Sequence, residues 1–294
     1  MTITASLVKD LRERTGAGMM DCKKALVETN GDTDAAAELL RTKGQAKAEK
    51  KAGRIAAEGA IEIAEDSASN SMVIMEINSE TDFVAKDENF RGFVRSAAEL
   101  ALSSAADDVG ALMATELSSG GTLESARTAL VAKIGEQIAV RRFNRLAAAG
   151  ELGHYQHGNR IGVVVDVSGG DESLRKDLAM HIAASAPAHI DADGVPAEDV
   201  ERERRIFSEQ AAQEGKPPEI VEKMVAGRLR KYLGEITLLG QPFVKDPDVS
   251  VGKLLENQGA TVNAFVRLEV GEGIEKKEED FAAEVAAQVQ ASEQ

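Results

Sequence analysis

A single cysteine, Cys22, excludes an internal disulfide and a cysteine-based zinc cluster, and it fits a reducing compartment. Tryptophan is missing, and two tyrosines with eight phenylalanines are too few for a platform on which nucleic-acid bases would stack. A net charge of −15 over 294 residues repels a phosphate backbone, so neither nucleic acid nor an anionic membrane is an expected partner. Runs of 18 apolar residues are lacking, and residues 1–9 have none of the basic, apolar and small-residue zones of a signal peptide. The expected location is the cytoplasm.

Signatures of self-sufficient chemistry are also scarce. No two-glycine loop ending in Lys-Ser or Lys-Thr is present to hold a nucleoside triphosphate, and the Gly16/Gly18 and Gly271/Gly273 pairs form no strand-to-helix phosphate fingerprint. His154 and His157 are expected in a turn, where a metal would need a further ligand. Serines, histidines and aspartates occur at no diagnostic spacing. The expectations are no cofactor, no metal, no covalent catalysis, and a chain that acts on another protein.

What the chain does contain is modular. Residues 1–54 carry 11 Lys/Arg against 8 Asp/Glu, whereas the rest is strongly acidic, and that step marks a small N-terminal module. Thr4 can cap a helix ended by Gly16, and Asn30-Gly31 stops a second helix. A third opens at Asp32 or Thr33 and is expected to terminate at Gly44, followed by an exposed helical linker over 45–58. Residues 60–78 predict a two-stranded hairpin, and 88–103 predict a helix with Phe90, Phe93, Val94, Ala97 and Ala101 on its apolar stripe. Another helix opens at Thr122, and strands near 154 and 161–167 followed by a helix repeat the plan, so the core is expected to be a duplicated α+β unit.

Residues 196–233 then predict an antiparallel helical hairpin turned at residues 215–218. Its seam is of coiled-coil type and could seat a second copy or a partner. The tail places Phe281, Val285 and Val289 at spacing four on one amphipathic helix that needs a docking surface. The expected divisions are an N-terminal module over 1–54 and a core N-subdomain over 55–150. A core C-subdomain takes in 151–195 and 234–272, the hairpin is inserted over 196–233, and a C-terminal module occupies 273–294.

One segment is unusual, Asn78 through Ala85 with the sequence NSETDFVA, leaving a strand and entering a helix. Thr81 or Asp82 could cap that helix while Phe83 reaches the core; alternatively Phe83 is an exposed wedge. TDFV at 81–84, LVKDLRERTGAGMMDCKKAL at 7–26, YQHG at 155–158, GQPFV at 240–244 and VGEGIE at 270–275 together resemble the bacterial elongation factor Ts family, in order along essentially the whole chain. The resemblance implies a guanine-nucleotide exchange factor for elongation factor Tu, with an N-terminal bundle similar to ubiquitin-associated (UBA) domains.

It further implies that Thr81, Asp82, Phe83 and Val84 disturb the partner's Mg²⁺ site and that His157 makes a second contact. Met19, Met20, Val244 and Phe281 are the other expected partner-binding positions, reaching the GTPase domain and a β-domain. Ser79 stands where the family often has Cys, and Lys245 where some members are apolar. Two other readings are a hydrolase or lyase around His154 and His157, and a scaffold that binds through residues 1–54 alone.

Overall fold

The structure is a computed structural model that describes residues 3–214 and 216–275. The N-terminal module is formed by α1 (Ala5–Thr15), α2 (Met19–Glu28) and α3 (Thr33–Lys51). Thr4 caps α1 by accepting from the Leu7 amide, and Gly16 ends it in the left-handed region at φ 66°. Asp32 caps α3 through two amides. Val8, Leu11, Cys22, Ala25, Leu26 and Ala36 are buried together between the three helices.

The third helix departs from expectation. It runs through Gly44 and on to Lys51. A Cβ at position 44 would lie 3.4 Å from the Ala132 Cβ, so Gly44 marks a close helix–helix approach rather than a stop. Ala48, one turn further, is buried in the adjoining core. The stretch expected to be an exposed linker is thus partly a packed strap between the module and the core.

The core begins with β1 (Glu58–Asp66) and β2 (Ser71–Ser79), an antiparallel hairpin. After a single 3-10 turn at Val84–Lys86 come α4 (Glu88–Ser103), α5 (Val109–Ala114), α6 (Leu123–Ile134) and β3 (Ile138–Ala147), which pairs with β2. The second half repeats the arrangement with β4 (Glu151–His157), β5 (Ile161–Ser168) and α7 (Glu172–Ser185). The hairpin helices α8 (Ala197–Ala212) and α9 (Pro218–Ile236) follow, then β6 (Pro242–Phe243), β7 (Asp246–Ser250), α10 (Val251–Gln258) and β8 (Thr261–Glu269). The main sheets have the orders β1-β2-β3 and β4-β5-β8, all antiparallel, and β6 with β7 forms a small third sheet. The fold is α+β, and the second half carries the same hairpin-plus-helix unit as the first.

Alternation along the central strands explains the layering. Val73, Met75 and Ile77 of β2 face α4 and α6, whereas Met72 and Ile74 face the other sheet. On β5, Val163, Val165 and Val167 face α7 and α10, while Val164 joins Met72 and Ile74 between the sheets. Both faces of each central strand are covered, which is why their sequences are nearly continuous apolar runs. At Gly162 the sheets approach so closely that a Cβ would lie 2.5 Å from Ile61 Cγ2.

A buried carboxylate also ties the halves together. Glu76 of β2 accepts from Arg141 (2.9 Å), Arg142 (2.7 Å), Asn78 (3.0 Å) and the Gly271 amide just beyond β8 (2.8 Å). Burial pushes its pKa up, and these hydrogen bonds together outweigh that, holding it below the ordinary carboxylate value.

In the hairpin, Phe207 meets Tyr232 edge-on at 6.3 Å and Arg228 pairs with Glu214 at 2.7 Å, which fixes the two helices antiparallel. Pro218 opens α9, where its missing N–H leaves no bond unmade. The second arm extends to Ile236, three residues past the expected boundary. Among the described residues no helix is long and apolar enough to cross a membrane.

Candidate functional site

The segment between β2 and α4 is a turn with two anchored ends and an exposed tip. At its start, Thr81 donates to the Glu136 carboxylate through both its amide (3.0 Å) and its hydroxyl (2.7 Å). Ser79 Oγ donates to the Thr81 carbonyl at 2.9 Å. At its end, Val84 and Ala85 are buried in the first core. Asp87, not Thr81 or Asp82, caps α4, accepting from the Asn89 and Phe90 amides. That frees Asp82 and Phe83 from any structural duty in the helix.

Phe83 is 80% exposed, the highest value among the large hydrophobic residues of the described chain that face solvent. The Lys86 ammonium lies over its ring, 5.9 Å from the centroid. The same ammonium pairs with Asp82 at 2.7 Å. That hydrogen bond holds the Asp82 pKa below the ordinary carboxylate range, so the tip carries a carboxylate at neutral pH. Of the two sequence readings of this segment, the core-residue reading of Phe83 is excluded.

The other expected positions fall on separate elements. His154 and His157 lie on β4, not in the turn expected for them, and an odd spacing on a strand puts their side chains on opposite faces. They cannot share a ligand, and among the described residues no group of three or more His, Cys, Asp or Glu is placed to hold a metal ion. His157 is exposed at the end of β4, with the Tyr155 hydroxyl 3.2 Å from its Nδ1. Met19 and Met20 are 60% and 62% exposed at the start of α2, and Val27, two turns on from Met20, extends that apolar face. Phe281 lies outside the described residues.

Val244 is half-exposed just after β6, and its position is set by a buried histidine that the sequence analysis did not single out. The Val244 amide donates to His181 Nδ1 at 3.2 Å, so Nε2 carries the proton and donates to Gln241 Oε1 at 3.0 Å. Gln241 in turn donates to the Ser185 and Glu235 carbonyls, and Phe243 packs against the imidazole at 5.9 Å. Burial pushes the His181 pKa down, with the Gln241 bond opposing it in part, and the ring is neutral at pH 7. Lys245 is held by Asp177 at 2.6 Å.

Glu136 was likewise missed. It stands 55 residues from Thr81, directly after the left-handed Gly135 that ends α6. The only local signal was that glycine, which announces a turn but not its partner.

This arrangement presents a charged and an aromatic side chain together on a fixed turn, with further apolar side chains on α2 and beside β6. Such a surface suits recognition of a folded partner. Residues 80–272 match the family model for "Elongation factor TS". The chain is 62% identical to elongation factor Ts of Thioalkalivibrio sulfidiphilus strain HL-EbGR7 over 290 residues, covering 98% of this chain and 99% of the relative. It is 59% identical to elongation factor Ts of Alkalilimnicola ehrlichii over 99% of this chain and 100% of that relative. Against elongation factor Ts of Methylococcus capsulatus strain Bath the identity is 58%, over the same shares.

Proposed function

The chain belongs to the elongation factor Ts family, and from that premise we propose that it is a guanine-nucleotide exchange factor that binds elongation factor Tu carrying GDP and promotes GDP release. The observation that carries this reading is Phe83, 80% exposed between two anchored turn ends. An aromatic side chain left in water is a reserve of binding free energy, about 1.5 to 3 kcal/mol on full burial in an apolar pocket. Released only in the complex, that energy can offset a strained partner conformation in which the nucleotide is loose.

The residue roles in this reading are those the family resemblance implies. Phe83 inserts into the partner, and Asp82 brings a carboxylate toward the helix or loop that keeps the hydration shell of the partner's Mg²⁺ in order, weakening the metal that bridges the GDP phosphates. Thr81 and Val84 hold the tip in orientation. His157 makes a second contact from the other sheet, Met19 and Met20 dock an N-terminal module of UBA-like type on the GTPase domain, and Val244 meets a β-domain. Phe281 supplies a further apolar contact to the GTPase domain. The hairpin is a coiled coil whose exposed Ile206 and Ile220 are the surface for self-association. No bond is made or broken in this scheme; cellular GTP refills the empty site and expels the factor.

Linkage supplies the test. If the factor weakens GDP binding by some ratio, GDP must weaken binding of the factor by the same ratio. Calorimetric titration of elongation factor Tu, nucleotide-free and GDP-loaded, with this protein gives one ratio, and GDP titration with and without the protein gives the other. Two equal ratios well above one support exchange; a ratio of one in both leaves a binding role only.

A further inference from the structure

Glu136 makes no contact with a partner in the scheme above, yet it holds the base of the tip on which that scheme depends. Its carboxylate accepts two bonds from one residue, the Thr81 amide and hydroxyl, at 3.0 and 2.7 Å. The arrangement is reciprocal across the two turns. Glu80 accepts from the Gln137 amide at 2.6 Å, so each turn contributes a carboxylate and receives one. The end of the strap from the N-terminal module closes over the same place: Lys51 donates to the Gly135 carbonyl and Arg54 pairs with Glu80 at 3.3 Å. With Val84 buried on the far side, Phe83 and Asp82, the latter paired with Lys86, project from the turn into solvent.

We infer that Glu136 is a positioning residue for the exchange wedge: by clamping Thr81 it preorganises Asp82 and Phe83 in the free protein, so that their ordering is not a cost incurred on binding. This rests on the exchange reading for its consequence, but the ordering itself is a property of the free chain. Charge-assisted bonds to a carboxylate are the stronger class, and two to one residue restrain direction as well as distance. Removing them leaves Thr81 tied by the Ser79 bond to its carbonyl and by the long 3.5 Å bond that its hydroxyl accepts from the Val84 amide. The tip would then sample orientations that do not match the partner.

The test uses the absence of tryptophan. Phe83→Trp places the only indole of the chain at the tip, and its time-resolved fluorescence anisotropy reports how ordered the tip is without any partner present. Adding Glu136→Ala should raise the amplitude of the fast anisotropy decay at least twofold. Glu136→Gln should restore the slow behaviour, because the amide oxygen still accepts from the Thr81 amide while its NH2 donates to the rotatable Thr81 hydroxyl. Glu136→Asp, one methylene shorter, should not.

In the native Phe83 background, Glu136→Ala should lower the efficiency of GDP release from elongation factor Tu by about tenfold, the scale on which a loosened support forfeits preset orientation. Glu136→Gln should stay within threefold of wild type, and urea unfolding checks that all variants are folded. Unchanged anisotropy in folded Glu136→Ala overturns the inference, as does a Gln variant as impaired as Ala. If the anisotropy behaves as expected but the wild-type protein does not accelerate GDP release, the clamp stands and the exchange reading falls.

Discussion

Phe83→Ala separates a binding wedge from a core residue, and the structure sets the size of both expected effects. A buried phenylalanine such as Phe90, fully enclosed beneath β2, would cost about 3 to 5 kcal/mol of folding stability on truncation to alanine. Phe83, 80% exposed, has little of that to lose. The Lys86 ammonium lies over its ring, and an exposed contact of that kind contributes about 0.5 kcal/mol. Urea unfolding should therefore shift by no more than about 0.5 kcal/mol, as for an ordinary surface change. The complex should suffer more: about 2 kcal/mol of burial is forfeited, which is roughly 30-fold in an equilibrium constant. The assay is release of fluorescent GDP from elongation factor Tu at limiting factor, with Phe83→Leu as a control that keeps most of the apolar area. A folding loss above 2 kcal/mol would show that Phe83 supports the core. Exchange within twofold of wild type would show that it is not the wedge.

Four other expectations follow. Glu76→Gln should cost about 2 kcal/mol at neutral pH, below the usual 3 to 5 for a broken buried pair because Arg141 and Arg142 are partly exposed. Because the folded pKa of Glu76 is depressed, its contribution is complete above the ordinary carboxylate value of 4.5 and is lost as pH falls through the folded value, so the variant should show a flatter acid limb in thermal unfolding. His181, whose folded pKa is also depressed, contributes stability that is present above its ordinary value of 6.5 and lost as pH falls below it. His181→Gln should remove that portion of the pH dependence, and an unchanged profile between pH 7 and 5 would argue against a buried neutral ring. Gly162→Leu should destabilise severely, because a Cβ alone would already lie 2.5 Å from Ile61 Cγ2 where the sheets meet; a melting temperature within 2 °C of wild type, about 0.5 to 1 kcal/mol in a chain of this size, would contradict that packing. Sedimentation velocity of the wild type and Ile220→Glu tests the hairpin: a dimer lost in the variant supports self-association there, and a monomer throughout assigns that face to another use.

Local signals were legible in the sequence wherever the chain states its own punctuation. Thr4, Asp32 and Thr122 cap helices where expected, Gly16 ends one in the left-handed region, and the stripe of Phe90, Phe93, Val94, Ala97 and Ala101 is buried as its spacing requires. Gly44 misled because a glycine that admits a neighbouring helix looks, in sequence, like one that ends its own; only Ala132, far along the chain, distinguishes the cases. The short α5 and the edge strand β3 were absent from the expectations. The residues of β3 alternate less cleanly, with three arginines turned to long-range partners such as Glu76 and the Ser104 carbonyl. The tip residues Asp82 and Phe83 were found through resemblance, since their composition alone favoured a cap and a core contact. What holds the site was not legible: Glu136 for Thr81 and His181 for Val244 are 55 and 63 residues away from the groups they hold.

The most direct measurement of the central claim is the release of fluorescent GDP from purified elongation factor Tu, chased with unlabelled GDP, at one molecule of this protein per ten or more of the partner. The account predicts complete, accelerated release at that ratio, because each molecule of the factor is expelled by incoming nucleotide and acts again. Release that stops at one GDP per molecule of protein added, or that is not accelerated although a complex forms, would contradict it.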